Sequence, residues 1–170
     1  NIYYMAIKKK NFHRQETLAR KNAIQSLEFL ISFGLKQMDA ENTFRESADV
    51  ELKEIIELDL CRDLLGIQKL IDSIRLRFNE NVIEGKGDLC DSCVCVALGI
   101  SRVNDIHSII FEHNRWKKLL EQKFVSIYYP NEIRNSIVAW AGENGYITST
   151  YLGQPIIKFN KLFLSIKRTY

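Results

Sequence analysis

A glycine-lysine-glycine turn, Gly85-Lys86-Gly87, has the clearest chemical potential in the sequence. It opens the segment GKGDLCDSCVCVALGISRVNDIHSIIFE, in which an apolar stretch from Leu89 to Gly99 follows the turn. A helix over that stretch would leave its first backbone N–H groups without partners inside the helix, where they can bind an anion. Lys86 adds a positive charge, so the sequence predicts a phosphate-binding turn. A plain tight turn before a helix is the alternative interpretation.

Four carboxylates lie close to this turn in the sequence: Asp88, Asp91, Asp105 and Glu112. Asp88 and Asp91 are three residues apart at a predicted helix start, so they could share a face and bind a divalent cation such as Mg²⁺. Acidic residues at a helix start also complement the helix dipole, and that use is the commoner one.

The chain has four cysteines, and three of them fall within six residues, at Cys90, Cys93 and Cys95. Cys90 and Cys93 have the spacing of zinc ligands. However, a second pair with this spacing is missing, and residues two apart on a helix point in different directions. We interpret the cysteines as small buried helix residues rather than as a Zn²⁺ site.

The composition is that of an ordinary globular protein of 170 residues, with 46% hydrophobic residues and a formal charge of +3. Such a small net charge does not by itself indicate a nucleic-acid partner, although basic residues cluster near both ends of the chain. The sequence lacks an apolar run long enough to cross a membrane and does not start like a signal peptide. These features predict a cytoplasmic protein without a membrane partner.

Periodic apolar residues predict three helices in the first half of the chain, at residues 16–36, 50–58 and 60–78. The third helix has a stripe formed by Leu64, Ile67, Ile71 and Ile74. Residues 37–49 are polar and are predicted to be a connector followed by a new helix start. Residues 79–88 are predicted to be the loop that leads into the glycine turn.

The second half alternates between the two kinds of pattern. Helices are predicted at residues 115–123 and 131–143, and strands at residues 124–129 and 146–151. Residues 156–167 are ambiguous between helix and strand. The predicted fold class is therefore α+β, mostly helical, with a small mixed sheet. We divide the chain into a helical lead-in, residues 1–78, and an α+β region, residues 79–170, which could also form one compact domain together.

The segment GKGDLCDSCVCVALGIS, followed by Val103, Asn104 and IIFEHN, resembles the palm region of the bacterial replicative DNA polymerase III α subunit. Ten residues match that family like for like: Gly85, Gly87, Ser92, Val94, Ala97, Leu98, Gly99, Ile100, Phe111 and Glu112. The similarity extends from about Ala19 to the C-terminus, but it is specific only between Gly85 and Glu112. It implies a truncated polymerase palm in which an arginine-bearing helix, a strand and a lysine-bearing helix follow the conserved segment.

This resemblance also implies where a metal-binding strand should lie. The family has alternating aspartates on that strand, which hold two divalent metals for phosphoryl transfer. Here the strand reads FVSIYY, and Ser126 and either Tyr128 or Tyr129 stand at the positions where carboxylates would be needed. A serine does not hold a hard cation as an aspartate does. The resemblance therefore implies a catalytically inactive palm, with no catalytic residues, that binds nucleic acid or a replication-associated protein.

The predicted phosphate-binding residues combine the glycine turn with basic residues at positions that match the family. They are Gly85, Lys86, Gly87, Asp88, Ser92, Arg134, Lys158 and Lys161. Two alternatives stay open. The chain could belong to an active DNA polymerase whose metal-binding acids lie elsewhere, or it could be a winged-helix DNA-binding protein. The winged-helix alternative predicts a strand at residues 156–159 paired with residues 147–151, whereas the palm resemblance predicts a helix there.

Overall fold

The computed structural model describes residues 1–80, 86–103, 106–110 and 112–169. The described helices are α1 (Ile2–Gln37), α2 (Glu41–Glu57), α3 (Cys61–Phe78), α4 (Cys93–Ala97), α5 (Arg115–Gln122) and α6 (Asn131–Glu143), and a 3-10 turn spans Ile106–Ser108. The strands are β1 (Phe124–Tyr129), β2 (Ile147–Tyr151), β3 (Gln154–Lys158) and β4 (Phe163–Arg168). The predicted fold class, α+β and mostly helical with a small mixed sheet, is confirmed.

The first helix is much longer than its apolar pattern predicts. Its buried stripe, Ala23, Leu27, Ile31 and Leu35, lies wholly in its second half. Residues 1–22 are exposed on every side, so this part of the helix extends away from the core. Among the described residues, none of the helices is both long and apolar enough to cross a bilayer.

Two other helix predictions are wrong. The polar stretch 37–49 is mostly helical, because α2 already begins at Glu41 and buries Phe44 and Ala48 one turn apart. The apolar stretch 89–99 forms only five residues of helix, α4, and all five are buried. Ser92 caps the start of this helix by accepting a hydrogen bond from the backbone N–H of Cys95 at 3.1 Å.

The four strands form one sheet in the order β1-β4-β3-β2. β1 runs parallel to β4, with Phe124 opposite Phe163 and Tyr129 opposite Arg168. β2 and β3 form an antiparallel hairpin, and β3 is also antiparallel to β4. The palm resemblance predicts a helix near Lys158. This prediction is wrong, because the segment is a strand. The pairing of residues 154–158 with residues 147–151 is the one that the winged-helix alternative predicts.

Aromatic rings cover part of one face of the sheet. Phe124 stacks on Phe163 with ring centroids 5.4 Å apart, and its ring also lies 4.7 Å from that of Tyr151. Because β1 and β2 are the two edge strands, this contact shows that the sheet coils strongly and brings two diagonal corners together. Ile156 and Ser165, on the same face, are only 6% exposed as a result.

A single cluster of buried residues extends from Ala23 in α1 to Ile166 in β4. The helices also reach the sheet through polar contacts. Asp63 of α3 accepts hydrogen bonds from the backbone N–H groups of Lys161 and Leu162, both at 2.8 Å, and so fixes the turn between β3 and β4. The division into residues 1–78 and 79–170 stays a prediction.

Candidate phosphate-binding site

The second half of the glycine turn lies directly against β1. The backbone N–H of Asp88 donates to the carbonyl oxygen of Ser126 at 3.0 Å, and the Asp88 side chain accepts from the Ser126 N–H at 2.7 Å. β1 is an edge strand, so these two bonds satisfy backbone groups that would otherwise be unpaired. The glycine turn therefore lies beside β1.

Gly87 is needed for this close approach. Its φ angle is +91°, and a Cβ atom at this position would lie 2.5 Å from the carbonyl oxygen of Ser126. No side chain fits in that space without moving the strand. The neighbouring Gly85 lies outside the described residues. The conformation of Gly87 thus has a packing reason that does not require a ligand.

The predicted site residue Ser92 faces the protein interior. Its hydroxyl donates to the carboxylate of Glu51 in α2, which also accepts from the indole N–H of Trp116 at 3.0 Å. Glu51, Ser92 and Trp116 are all fully buried. Burial raises the pKa of Glu51, and the hydrogen bonds from Ser92 and Trp116 offset this only in part. This arrangement is a structural network that joins α2 to α4 and α5.

Lys86 lies at the mouth of a cleft with a volume of about 560 Å³ at one end of the sheet. The cleft is lined by Lys86, Tyr128, Gln154, Lys167, Arg168 and Thr169. Tyr128 and Lys167 are opposite each other in the β1–β4 pair, and the ammonium of Lys167 lies 6.0 Å from the centre of the Tyr128 ring. Three basic residues thus line this cleft, and none of the described residues that line it is acidic.

Arg134 of α6 lies behind this cleft and is only 8% exposed. Its guanidinium donates to the side-chain oxygen of Gln154 at 3.2 Å and to the carbonyl oxygen of Ile166 at 3.3 Å. Pro155 has no N–H to donate to β4, so Arg134 supplies a donor where β3 and β4 diverge. The structure therefore brings Arg134 to the site, but in a supporting position.

The predicted site residues Lys158 and Lys161 lie elsewhere. Lys158 ends β3 and is opposite Phe163, the first residue of β4, whereas Lys167 is near the end of β4. The ammonium of Lys161 donates to the carbonyl oxygen of Leu58 at 3.0 Å, beyond the turn between β3 and β4. Neither lysine is among the residues that line the cleft.

The carboxylates near the glycine turn already have partners. Asp91 forms an ion pair with Arg115 at 2.7 Å, and Glu112 forms one with Lys118 at 2.8 Å, which lowers the pKa of Glu112. Asp88 is bonded to β1, and Asp105 lies outside the described residues. Across the described ranges, no three or more histidine, cysteine or acidic side chains are grouped so that they could hold a metal ion.

The three hydroxyl-bearing residues of β1 differ in environment. Ser126 pairs with Asp88 through its backbone, and Tyr128 lines the cleft. Tyr129 is completely buried, and burial raises the pKa of its hydroxyl. Neither a neutral hydroxyl nor a buried phenol replaces a carboxylate as a ligand for a hard divalent cation.

All four cysteines are free thiols. Cys61, Cys93 and Cys95 are buried, and burial raises the pKa of both Cys61 and Cys93 to about 11. The thiol of Cys90 is half-buried and donates to the carbonyl oxygen of Gly87 at 3.2 Å. Buried neutral thiols of this kind are inert packing residues, which is how the sequence pattern was interpreted.

We expect iodoacetamide to modify one cysteine, Cys90, in the native protein at pH 8, and the other three only after denaturation. The reason is that alkylation needs an accessible thiolate, and Cys61, Cys93 and Cys95 are at most 2% exposed. Intact-mass and peptide mass spectrometry measure the labelling. A Cys90→Ser variant is the control and should stay unlabelled while folded. Rapid native labelling of two or more sites would contradict the packing described here.

The residues that sequence analysis missed at the cleft are Tyr128, Gln154, Lys167, Arg168 and Thr169. A partial signal was present, because Lys167 and Arg168 belong to the basic cluster near the C-terminus. Their approach to Lys86 depends on the parallel pairing of β1 with β4, which the ambiguous pattern of residues 156–167 does not predict.

Comparisons of this chain with protein-family models, with curated proteins and with solved structures found no match.

Proposed function

We propose that this protein binds nucleic acid through the cleft lined by Lys86, Lys167 and Arg168, and that it does so without catalysing polymerisation. The observation that carries the proposal is that three basic residues from two separate segments of the chain line one cleft. Cations gathered from distant segments without acidic neighbours are the usual feature of a phosphate-binding surface.

Two of the three cations of this cleft are not neutralised by any described residue. In the described part of the chain, neither Lys86 nor Lys167 forms an ion pair. In contrast, Arg62, Arg115 and Lys118 each pair with a carboxylate. Unpaired cations that share one cleft repel each other, so an anionic ligand would relieve an unfavourable interaction.

The proposed inactive palm is supported by the adjacency of the glycine turn and β1, and by the side chains of β1 itself. Ser126, Tyr128 and Tyr129 supply no carboxylate, so the two-metal chemistry of a polymerase has no ligands on this strand. We therefore expect no nucleotide incorporation in a primer-extension assay with either Mg²⁺ or Mn²⁺. Incorporation above background would favour the alternative of an active polymerase.

The binding proposal is tested by fluorescence anisotropy with labelled single-stranded DNA, double-stranded DNA and RNA over a range of salt concentrations. Each phosphate contact that is lost should reduce the slope of log K against log salt by about 0.7 for a single strand and about 0.9 for a duplex. We expect Lys86→Glu and Lys167→Glu each to weaken binding by about tenfold or more and to reduce the slope.

Lys53→Glu is the matched control for this experiment. It makes the same change of charge on an exposed position of α2, a helix that contacts α1, α4 and α5. Equal weakening by Lys53→Glu would show that only net charge matters. Affinity that does not change with salt would exclude the proposed phosphate contacts.

A second candidate, a winged-helix DNA-binding protein, is favoured by the β2–β3 hairpin that follows α6. Its recognition helix would be α6, but Glu132 and Glu143 are exposed on this helix and would repel DNA phosphates. The hairpin tip at Leu152, 85% exposed, would be the wing. Weakened binding after Leu152→Glu, with no effect of Lys167→Glu, would select this candidate over the cleft.

A further inference from the structure

We propose that the cleft recognises the terminal phosphate of a nucleic-acid strand, a phosphomonoester, rather than the internal phosphodiesters along the strand. This inference rests on the proposed function and specifies its ligand. A terminal phosphate carries a charge of about −1.5 to −2 and three strong acceptor oxygens, whereas an internal phosphate carries a single negative charge.

The first support is the orientation of Gln154. An arginine side chain has only donors, so the oxygen of the Gln154 amide must face Arg134, to which it is bonded at 3.2 Å. The amide NH₂ group then faces away from Arg134. Since Gln154 lines the cleft, this group presents two N–H donors there. Arg134 is thus a positioning residue for Gln154.

The second support is that the whole lining can donate hydrogen bonds. Lys86, Lys167 and Arg168 are donors without acceptor capacity, and the hydroxyls of Tyr128 and Thr169 can donate as well. A base edge presents both donors and acceptors, and its donors would find acceptors in this cleft only at the hydroxyls of Tyr128 and Thr169. A phosphate group has only acceptors when it is fully ionised, so it matches this lining best.

The third support is the position of the cleft in the fold. Tyr128, Lys167 and Arg168 lie at the carboxyl ends of the parallel strands β1 and β4. Helix α6 begins directly after β1, so its N-terminus, with its positive dipole, is at the same end of the sheet. Ligands of open α/β sheets bind at this end of parallel strands.

Two described surfaces near the cleft, β2 and the exposed side of α6, do not continue it as a basic track for the strand backbone. The exposed strand β2 has only uncharged residues, Ile147 to Tyr151. The exposed side of α6 has the acidic residues Glu132 and Glu143. The aromatic rings of Phe124, Phe163 and Tyr151 close one face of the sheet between the cleft and Lys158. A strand held by many internal phosphates would need cations on these surfaces, whereas a strand held by its end would not.

The test uses the full chain and one 12-nucleotide single strand in three forms, with a 5′-phosphate, with a 3′-phosphate, and with hydroxyls at both ends. We expect at least one phosphorylated form to bind about tenfold more tightly than the hydroxyl form, because the extra charge gains charged hydrogen bonds in the cleft. Equal binding of all three forms would overturn this inference and leave the proposed function standing. No binding of any form would overturn both.

Gln154→Glu tests the role of the Gln154 amide group most directly. The new carboxylate can still accept from Arg134, so the fold is preserved, but it replaces two donors with a negative charge at the cleft. We expect the ratio between phosphorylated and hydroxyl forms to fall to about one, with circular dichroism and melting temperature unchanged. A ratio that persists in Gln154→Glu would contradict the assigned cleft.

Competition distinguishes the source of the phosphate. Nucleoside monophosphate and inorganic phosphate are added against the labelled, phosphorylated strand. We expect both to compete only at concentrations about a hundredfold above those of the unlabelled strand. Competition by the monophosphate at concentrations equal to those of the strand would assign the cleft to a free nucleotide and overturn the strand-end inference.

Discussion

Gly34→Ala is expected to destabilise the protein by about 3 kcal/mol or more, the largest effect that we expect from alanine at any of the described glycines. Gly34 lies in α1 where this helix crosses α4. A Cβ atom built on Gly34 would lie 1.7 Å from the carbonyl oxygen and 2.7 Å from the carbonyl carbon of Ala97. Both are backbone atoms, so no side-chain rotation relieves the overlap, and the two helices would have to separate.

The helix propensity of alanine acts in the opposite direction to this overlap, because it favours the folded state. Alanine is favoured over glycine inside a helix by about 1 kcal/mol, so a Gly34 without tertiary contacts would be stabilised by the same substitution. The overlap decides the sign, because separating α1 from α4 exposes buried apolar residues such as Leu35 and Val94. Urea denaturation followed by circular dichroism gives the free energy of unfolding for both proteins.

Gly142→Ala in α6 is the matched control. Its Cβ atom would approach only the side chain of Thr148, at 3.3 Å, and this side chain can rotate. We expect its free energy of unfolding to stay within about 1 kcal/mol of the wild type, because helix preference and a small adjustment nearly cancel. If Gly34→Ala behaves like Gly142→Ala, the close crossing of α1 and α4 is incorrect.

The elements whose patterns are regular were predicted from the sequence almost to the residue. β1 and α6 were predicted with the observed bounds, since alternation and helical periodicity are unambiguous there. α2 was predicted to begin nine residues late, because its first turns are polar except for Phe44 and Ala48. The short α4 was predicted as a long helix, because a fully buried segment shows no periodicity that could reveal its ends.

The tertiary contacts that build the cleft were not predictable in the same way. The palm resemblance requires the glycine turn to lie beside β1, and Gly87 does contact Ser126, but the resemblance itself stays a prediction. The bond between Arg134 and Gln154 joins residues 20 positions apart, and it depends on the divergence of β3 from β4. Residue types alone indicate that cations are present, but the pairing of strands decides which of them meet.

The burial of Glu51 was likewise not predictable from the sequence. On the sequence it is one of several acidic residues in a polar helix, and nothing distinguishes it from exposed neighbours such as Glu57. The structure places it at the centre of the network with Ser92 and Trp116, where it is fully buried. Its partners come from segments 41 and 65 residues further along the chain, and only the packing of α2 against α4 and α5 brings them together.

We expect Glu51→Leu to destabilise the protein by about 3 to 5 kcal/mol at low pH, where Glu51 is protonated, and by less as the pH rises and the wild type itself loses stability. The indole N–H of Trp116 and the hydroxyl of Ser92 would lose their shared acceptor, and each buried polar group without a partner costs about 1 to 3 kcal/mol. The backbone N–H of Val94, which donates to the other carboxylate oxygen at 3.4 Å, would lose its partner as well.

Glu51→Gln is expected instead to change how stability depends on pH. Burial raises the folded-state pKa of Glu51 above its ordinary value of 4.5, so the folded protein binds this proton more tightly than the unfolded chain. The resulting stabilisation is complete below pH 4.5 and is lost as the pH rises through the folded-state pKa, by about 1.4 kcal/mol for each unit of the shift. Glutamine resembles the protonated acid and does not titrate. The two proteins should therefore have similar stability at low pH, and the variant should become more stable relative to the wild type as the pH rises.

Urea denaturation between pH 4 and 8 measures this difference, with the exposed Glu57→Gln on the same helix as the control. Parallel curves for wild type and Glu51→Gln would show that Glu51 titrates alike in the folded and unfolded states, which a fully buried carboxylate does not do.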